Sequence, residues 1–178
     1  MAIDILSFQR ALPVDRDRLQ RHTRLAMEAL GQQGARVSLV LVNDRRMRAL
    51  NRSYRGKSAT TDVLSFDGPS GLPPGEARYL GEIVISVPRA YRQAATEGIA
   101  PDDEISNLMI HGLCHLLGYD HERGAKERRL MKETERRDAR HILEAEGENG
   151  RTITGKIWDE AGETPGERGK KSMAKGER

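Results

Sequence analysis

The chain is poor in several features that would otherwise place a protein. It has one cysteine, Cys114, in 178 residues, so no internal disulfide framework can form and a reducing compartment is the fitting one. Aromatic residues make up 4% of the chain, and 37% of residues are apolar against 32% charged. That sets a modest core, though the pattern is too regular for a wholly disordered chain. No apolar run approaches the roughly 20 residues of a membrane-spanning helix, and the first thirty residues lack the apolar block of a secretory signal. The expectation is a cytoplasmic protein with no membrane role. Charge of one sign is scarce as well: 30 Lys and Arg stand against 27 Asp and Glu, a net +3. From Thr164 onward, Arg168, Lys170, Lys171, Lys175 and Arg178 outweigh Glu167 and Glu177 and carry that whole excess. A basic, Gly-rich, aromatic-free stretch cannot bury enough apolar surface to order itself. The organisation expected is one domain over residues 1–147 and a flexible basic tail over 148–178.

Within the domain, periodicity predicts interleaved strands and helices. Ile3, Ile5 and Leu6 to Phe8 read as a strand, closed by Pro13. Asp15 or Asp17 can cap a helix carrying Leu19, Leu25, Ala26, Ala29 and Leu30 on one side and ending at Gly31 and Gly34. Val37 and Leu39 to Val42 form a buried strand, and Asn43 or Asp44 opens a helix with Met47, Leu50 and Tyr54 on its stripe. Strands follow at Thr61 to Phe66 and Leu80 to Val87, separated by a Pro- and Gly-rich loop from Gly68 to Gly75. Helices are predicted at Arg89 to Thr96, Asp102 to Leu117 with Gly118 as its stop, and Glu122 to Glu146 with Leu130, Met131, Ile142 and Leu143 as apolar contacts. This alternation implies an α+β fold: a small mixed sheet flanked by helices.

The chemistry concentrates in HGLCHLLGYDH, where three of the five histidines fall within eleven residues. His111 and His115 are four apart on a predicted helix, so both rings leave the same face about one turn apart. Gly118 permits the positive φ that ends a helix and lets the chain bring His121 back toward them. Three imidazoles leave one corner of a tetrahedral ion open, which marks a catalytic rather than a purely structural site. Zinc is the first choice for such a set, with nickel or copper able to enter it. Cys114 points off the metal-facing side and is expected in an apolar setting. The same spacing occurs in metzincin peptidases, which carry a general-base glutamate directly after the first histidine. Here that position is Gly112, so a metzincin-like hydrolase ranks low.

HGLCHLLGYDH, together with LNRSYRGKSATTDVLSF and LGEIVIS, resembles the three ordered signature segments of the YbeY family of bacterial single-strand-specific endoribonucleases, over roughly residues 39–145. The resemblance implies a mostly parallel sheet with an antiparallel edge strand and a metal site on a helix and its following turn. It implies that His111, His115 and His121 hold one zinc per chain and that Arg55 matches the family's cleft arginine, making Arg55 and His115 the catalytic candidates. It also implies a role in maturing ribosomal RNA, notably the small-subunit 3′ end, and in ribosome quality control. The expected partners are ribosomal RNA or the small subunit, with ribosome-associated proteins possible. Cys114, where the family usually has leucine, and the tail after about Gly147 depart from the pattern.

A metal at the imidazoles would lower the pKa of a bound water or polarise a phosphoryl oxygen, and the planar fork of Arg55 suits non-bridging phosphate oxygens. Ser65 and Glu82 sit where neighbouring strands could carry them toward a cleft, and Asp120 could orient an imidazole or cap the turn. Arg45, Arg46, Arg48, Arg52, Arg55 and Lys57 form a local basic stripe suited to phosphates. The charges after Glu122 pair mostly within their own helix. Two readings stand: a zinc-dependent endoribonuclease, and a ribosome-maturation factor in which metal only locks the fold.

Overall fold

The computed structural model describes residues 1–56, 58–69, 77–119 and 125–147; of residues 125–127 and of Leu143 it describes the backbone alone. In chain order the elements are β1 (Ala2–Ser7), α1 (Arg16–Ala29), β2 (Arg36–Val42), α2 (Asp44–Arg55), β3 (Val63–Asp67), β4 (Tyr79–Ser86), α3 (Val87–Glu97), α4 (Pro101–Leu116) and α5 (Ala125–Glu146). The strands form one sheet in the order β1-β2-β4-β3. β1, β2 and β4 run parallel, and β3 closes the edge antiparallel to β4. The expected mostly parallel sheet with an antiparallel edge is therefore what forms. Among the described residues no helix is long and apolar enough to cross a membrane.

Register shows how the sheet splits the core into two. Leu6, Val40, Val84 and Leu64 lie in one row across the four strands, and Ile5, Leu39, Ile83 and Ser65 lie in the next. Because side chains alternate between faces, Val40, Val84 and Leu64 of the first row meet Met47 and Leu50 of α2, while Leu6 at the sheet edge stays half exposed. The second turns to the larger core, where Met27 of α1, Met109 and Leu113 of α4 and Met131 and Ile142 of α5 pack. A central strand covered on both faces reads as a continuous apolar run, and Val37 to Val42 of β2 are all buried.

Helix ends follow local chemistry. Asp15 accepts from the Arg18 backbone N–H at 2.9 Å, and Asn43 accepts from that of Arg46 at 2.9 Å. Pro88 and Pro101 lie in the first turns of α3 and α4, where a missing N–H costs nothing, so these helices start a residue or two before the expected points. Gly118, at φ +85°, ends α4 as expected. Two expected stripe residues are not core. Tyr54 is 67% exposed and Leu130 50% exposed, because α2 and α5 are covered over narrower arcs than their apolar patterns span. Leu143 and the start of the last helix at Glu122 lie outside the described side chains and residues, as do most of the Gly68 to Gly75 loop and the tail.

Polar residues tie the helices together. His22, fully buried on α1, places Nδ1 2.8 Å from Ser106 Oγ of α4 and Nε2 2.9 Å from Glu146 Oε1 of α5. Arg18 reaches the buried Asp103 of α4 at 2.7 Å. These contacts, which periodicity alone does not reveal, hold α5 against α1 and α4.

Candidate functional site

The i, i+4 spacing of His111 and His115 brings their rings edge to face, with centroids 4.6 Å apart and an interplanar angle of 81°. Their Nε2 atoms are 3.1 Å apart. Behind them, Glu135 of α5, itself buried, accepts from His111 Nδ1–H at 2.8 Å. That bond places the ring proton on Nδ1 and leaves the Nε2 lone pair facing His115. Two ring nitrogens this close share either one proton or one cation. Two imidazoles on a tetrahedral zinc at its usual bond length stand about 3.3 Å apart, so the pair fits a common ion. His121 and Asp120 lie outside the described residues. Among the described residues no group of three or more His, Cys, Asp or Glu side chains is arranged to hold a metal.

The remaining face of α4 belongs to the core. Cys114 is fully buried, and burial pushes its thiol well above the ordinary range, with the nearby carboxylates of Glu135 and Asp138 adding to the rise. A thiol so hard to ionise suits the expected apolar role rather than ligation. Gly112 lies against β4: a Cβ there would stand 2.5 Å from Ile83 Cγ2. The glutamate of the peptidase pattern therefore has no room at this position. The Gly112→Ala protein is expected to lose about 1–3 kcal/mol by overpacking, despite alanine's better helix propensity, as read from its urea unfolding midpoint. Wild-type stability would show that Ile83 moves aside freely.

Opposite the histidines, Arg55 and Tyr54 at the end of α2 and the length of β3 complete a cleft of about 550 Å³. Ser65 Oγ donates to the Gly112 carbonyl at 3.2 Å, joining β3 to α4 across the cleft floor. Asp62 precedes β3. Burial alone would raise its carboxyl, but hydrogen bonds from Gln93 and Thr61 side chains and from the Val63 backbone outweigh that and hold it below the usual range. Its oxygens are thus engaged in shaping the wall. The buried Asn51 donates to the Ala59 carbonyl at 2.6 Å and pins the chain that follows Arg55. Glu82 is exposed on β4 and does not line the cleft. The arginines of the basic stripe are all exposed along α2, while Lys57 lies outside the described residues.

The structure thus brings Arg55, His111, His115 and Ser65 to one cleft and leaves Glu82 out. Glu135 was not anticipated. Its signal was present, since Met131, Glu135, Asp138 and Ile142 fall at i, i+4, i+7 and i+11, an inward-facing stripe with two acids on it.

Comparison with known proteins adds a separate line. A family model described as Endoribonuclease YbeY matches residues 4–142. Over 115 residues the chain is 50% identical to "Endoribonuclease YbeY" of Anaeromyxobacter sp. (strain Fw109-5), a match spanning 65% of this chain and 59% of that protein. Over 122 residues it is 41% identical to the protein of the same name from Aquifex aeolicus (strain VF5), covering 68% and 80%. The solution structure of TM1509 from Thermotoga maritima superposes with a TM-score of 0.57 at 24% identity, covering 89% of this chain and 97% of that one; the likeness is one of fold.

Proposed function

The chain belongs to the endoribonuclease YbeY family, and from that premise we propose that it is a zinc-dependent endoribonuclease, cutting single-stranded ribosomal RNA during small-subunit maturation and ribosome quality control in the cytoplasm. The observation that carries this reading is the convergence of the His111 and His115 Nε2 atoms, backed by Glu135, on the cleft that Arg55 lines. His111, His115 and, from the sequence, His121 would hold the ion. When bound, the metal supplies Lewis acidity toward a phosphoryl oxygen or a water of lowered pKa.

The chain's own residues do the rest. Arg55, exposed at the cleft mouth, offers a bidentate donor fork to the non-bridging oxygens, where negative charge grows during in-line displacement. Glu135 keeps the proton of His111 on Nδ1 and its Nε2 toward the cleft. Ser65, held to the Gly112 carbonyl, fixes the distance between the arginine wall and the histidine wall. A cleft open to solvent accepts an unpaired strand, whose phosphates can turn inward more easily than those of a rigid duplex.

The test is cleavage of a single-stranded RNA that carries a small-subunit 3′ end, alongside the same sequence annealed to a complement. Cleavage of the single strand is expected to stop with chelator and to return with added zinc, and the duplex should survive. Chelator should also lower the melting temperature, since metal binding and folding are coupled. Metal that shifts the melt while purified protein cuts no RNA would instead favour the maturation-factor reading.

A further inference from the structure

We propose that Phe8 and Arg46 form a stacking platform for one base of single-stranded RNA, at the far end of an arginine track that runs along α2 to the cleft. The inference rests on the nuclease reading above and deepens it by saying how the strand is held away from the scissile bond. Phe8 is one of only two phenylalanines in the chain, yet it is 48% exposed. It is not loose: its backbone N–H donates to the Leu41 carbonyl at 2.8 Å. The guanidinium carbon of Arg46 sits 4.0 Å from the ring centroid, and the Arg46 backbone N–H is held by the Asn43 side chain at 2.9 Å. A fixed, half-open aromatic ring with an arginine plane beside it is the arrangement on which unpaired bases stack.

The surroundings favour a polyanion over a protein. Arg45, Arg46, Arg48, Arg52 and Arg55 all stand exposed along α2. The helix's single acid, Asp44, is already engaged by Ser86 Oγ at 2.6 Å and Arg92 at 2.7 Å, and those bonds hold its carboxyl low despite the opposing effect of burial. Twelve residues of helix span about 18 Å, and at about 100° per residue Arg46 and Arg55 lie on opposite sides of α2 with Arg45 and Arg52 on the exposed face between them, so a strand from Phe8 to Arg55 crosses that face diagonally. At the cleft end a second ring waits. Tyr54, 67% exposed, meets Phe66 edge-on at a centroid distance of 4.7 Å. Rings at both ends with cations between them describe a non-sequence-specific single-strand groove.

The experiment uses the full chain and a 2′-O-methyl 12-mer, which resists cleavage, with 2-aminopurine walked through successive positions. Affinity by anisotropy and stacking by 2-aminopurine fluorescence are read together. The Phe8→Ala protein is expected to bind roughly tenfold or more weakly and to lose the fluorescence change at one position, while Phe8→Trp keeps both. Arg46→Ala, a surface change that should not disturb folding, is expected to weaken binding with a reduced salt slope. Phe8→Ala and Arg46→Ala affinities within twofold of wild type, with unchanged fluorescence profiles, would overturn the platform. So would a wild type that ignores RNA but binds an acidic peptide through Phe8, which would make this face a protein-docking surface. If the platform results appear but unmodified RNA is never cut, the nuclease reading fails and the platform stands.

Discussion

The His115→Ala protein is expected to cleave single-stranded RNA at least about a thousandfold more slowly than wild type, the several kcal/mol of transition-state stabilisation that a catalytic metal supplies. The argument is geometric. His115 contributes one of two Nε2 atoms 3.1 Å apart, and neither imidazole alone chelates a divalent ion. Its loss should therefore appear first as missing zinc by elemental analysis. Glu135→Gln makes the sharper comparison. The amide keeps the size of the side chain but no longer presents a carboxylate to His111 Nδ1–H, so a loss of roughly 10- to 100-fold in zinc affinity by chelator competition is expected, with the melt of the zinc-saturated protein little changed. His115→Ala protein that retains wild-type cleavage would show that the activity does not arise at this cleft. Glu135→Gln protein that binds zinc normally would show the carboxylate to be a packing partner only.

A second large effect is expected from Asp138, three residues along the same inward stripe. Its side chain is fully buried, neither oxygen has a hydrogen-bond partner among the described residues, and Arg137 Nε stands 3.8 Å away on a largely exposed side chain. Burial pushes the carboxyl up to about 7, against the pull of Arg137 and with a smaller push from Glu135. An unfolded aspartate titrates near 3.9, so between these values the folded chain keeps a proton that the unfolded chain releases. Stability from this group is complete below about pH 4 and is lost as pH rises through 7, a loss on the order of 4 kcal/mol for a gap of about three pH units. Asp138→Asn should remove that slope. Urea unfolding is expected to show the variant more stable than wild type at pH 8, with the advantage shrinking steadily toward pH 4. An identical pH dependence in the two proteins would mean that Asp138 stays ionised in the fold.

Much of the architecture could be read in advance because it rests on local chemistry. Asp15 and Asn43 cap helices through contacts three residues long, and Gly118 ends α4 through its own backbone angle. The buried run of β2 names itself by having no polar face. Errors arose where the outcome depended on a distant element. Tyr54 and Leu130 satisfy helical periodicity, yet both stay exposed, Tyr54 being met by Phe66 along one edge. His22 and Asp103 break the apolar pattern and are buried, since a hydrogen bond and ion pairs to other helices compensate their desolvation.

The candidate site divides in the same way. Residue order was enough to put His111 and His115 on one helical face, because a four-residue step is a property of the helix itself, and to single out Arg55 within its motif. It could not show that Glu135, twenty-four residues beyond His111, would orient that ring, or that Gly112 would be pressed against Ile83. Nor could it show that an exposed Phe8 would lie beside Arg46. Those facts come from α5 docking on α4, α4 on the sheet and α2 beside the end of β1. Each is a contact between segments far apart in the chain, whose approach is set by how the two cores fill and not by any pattern within either segment.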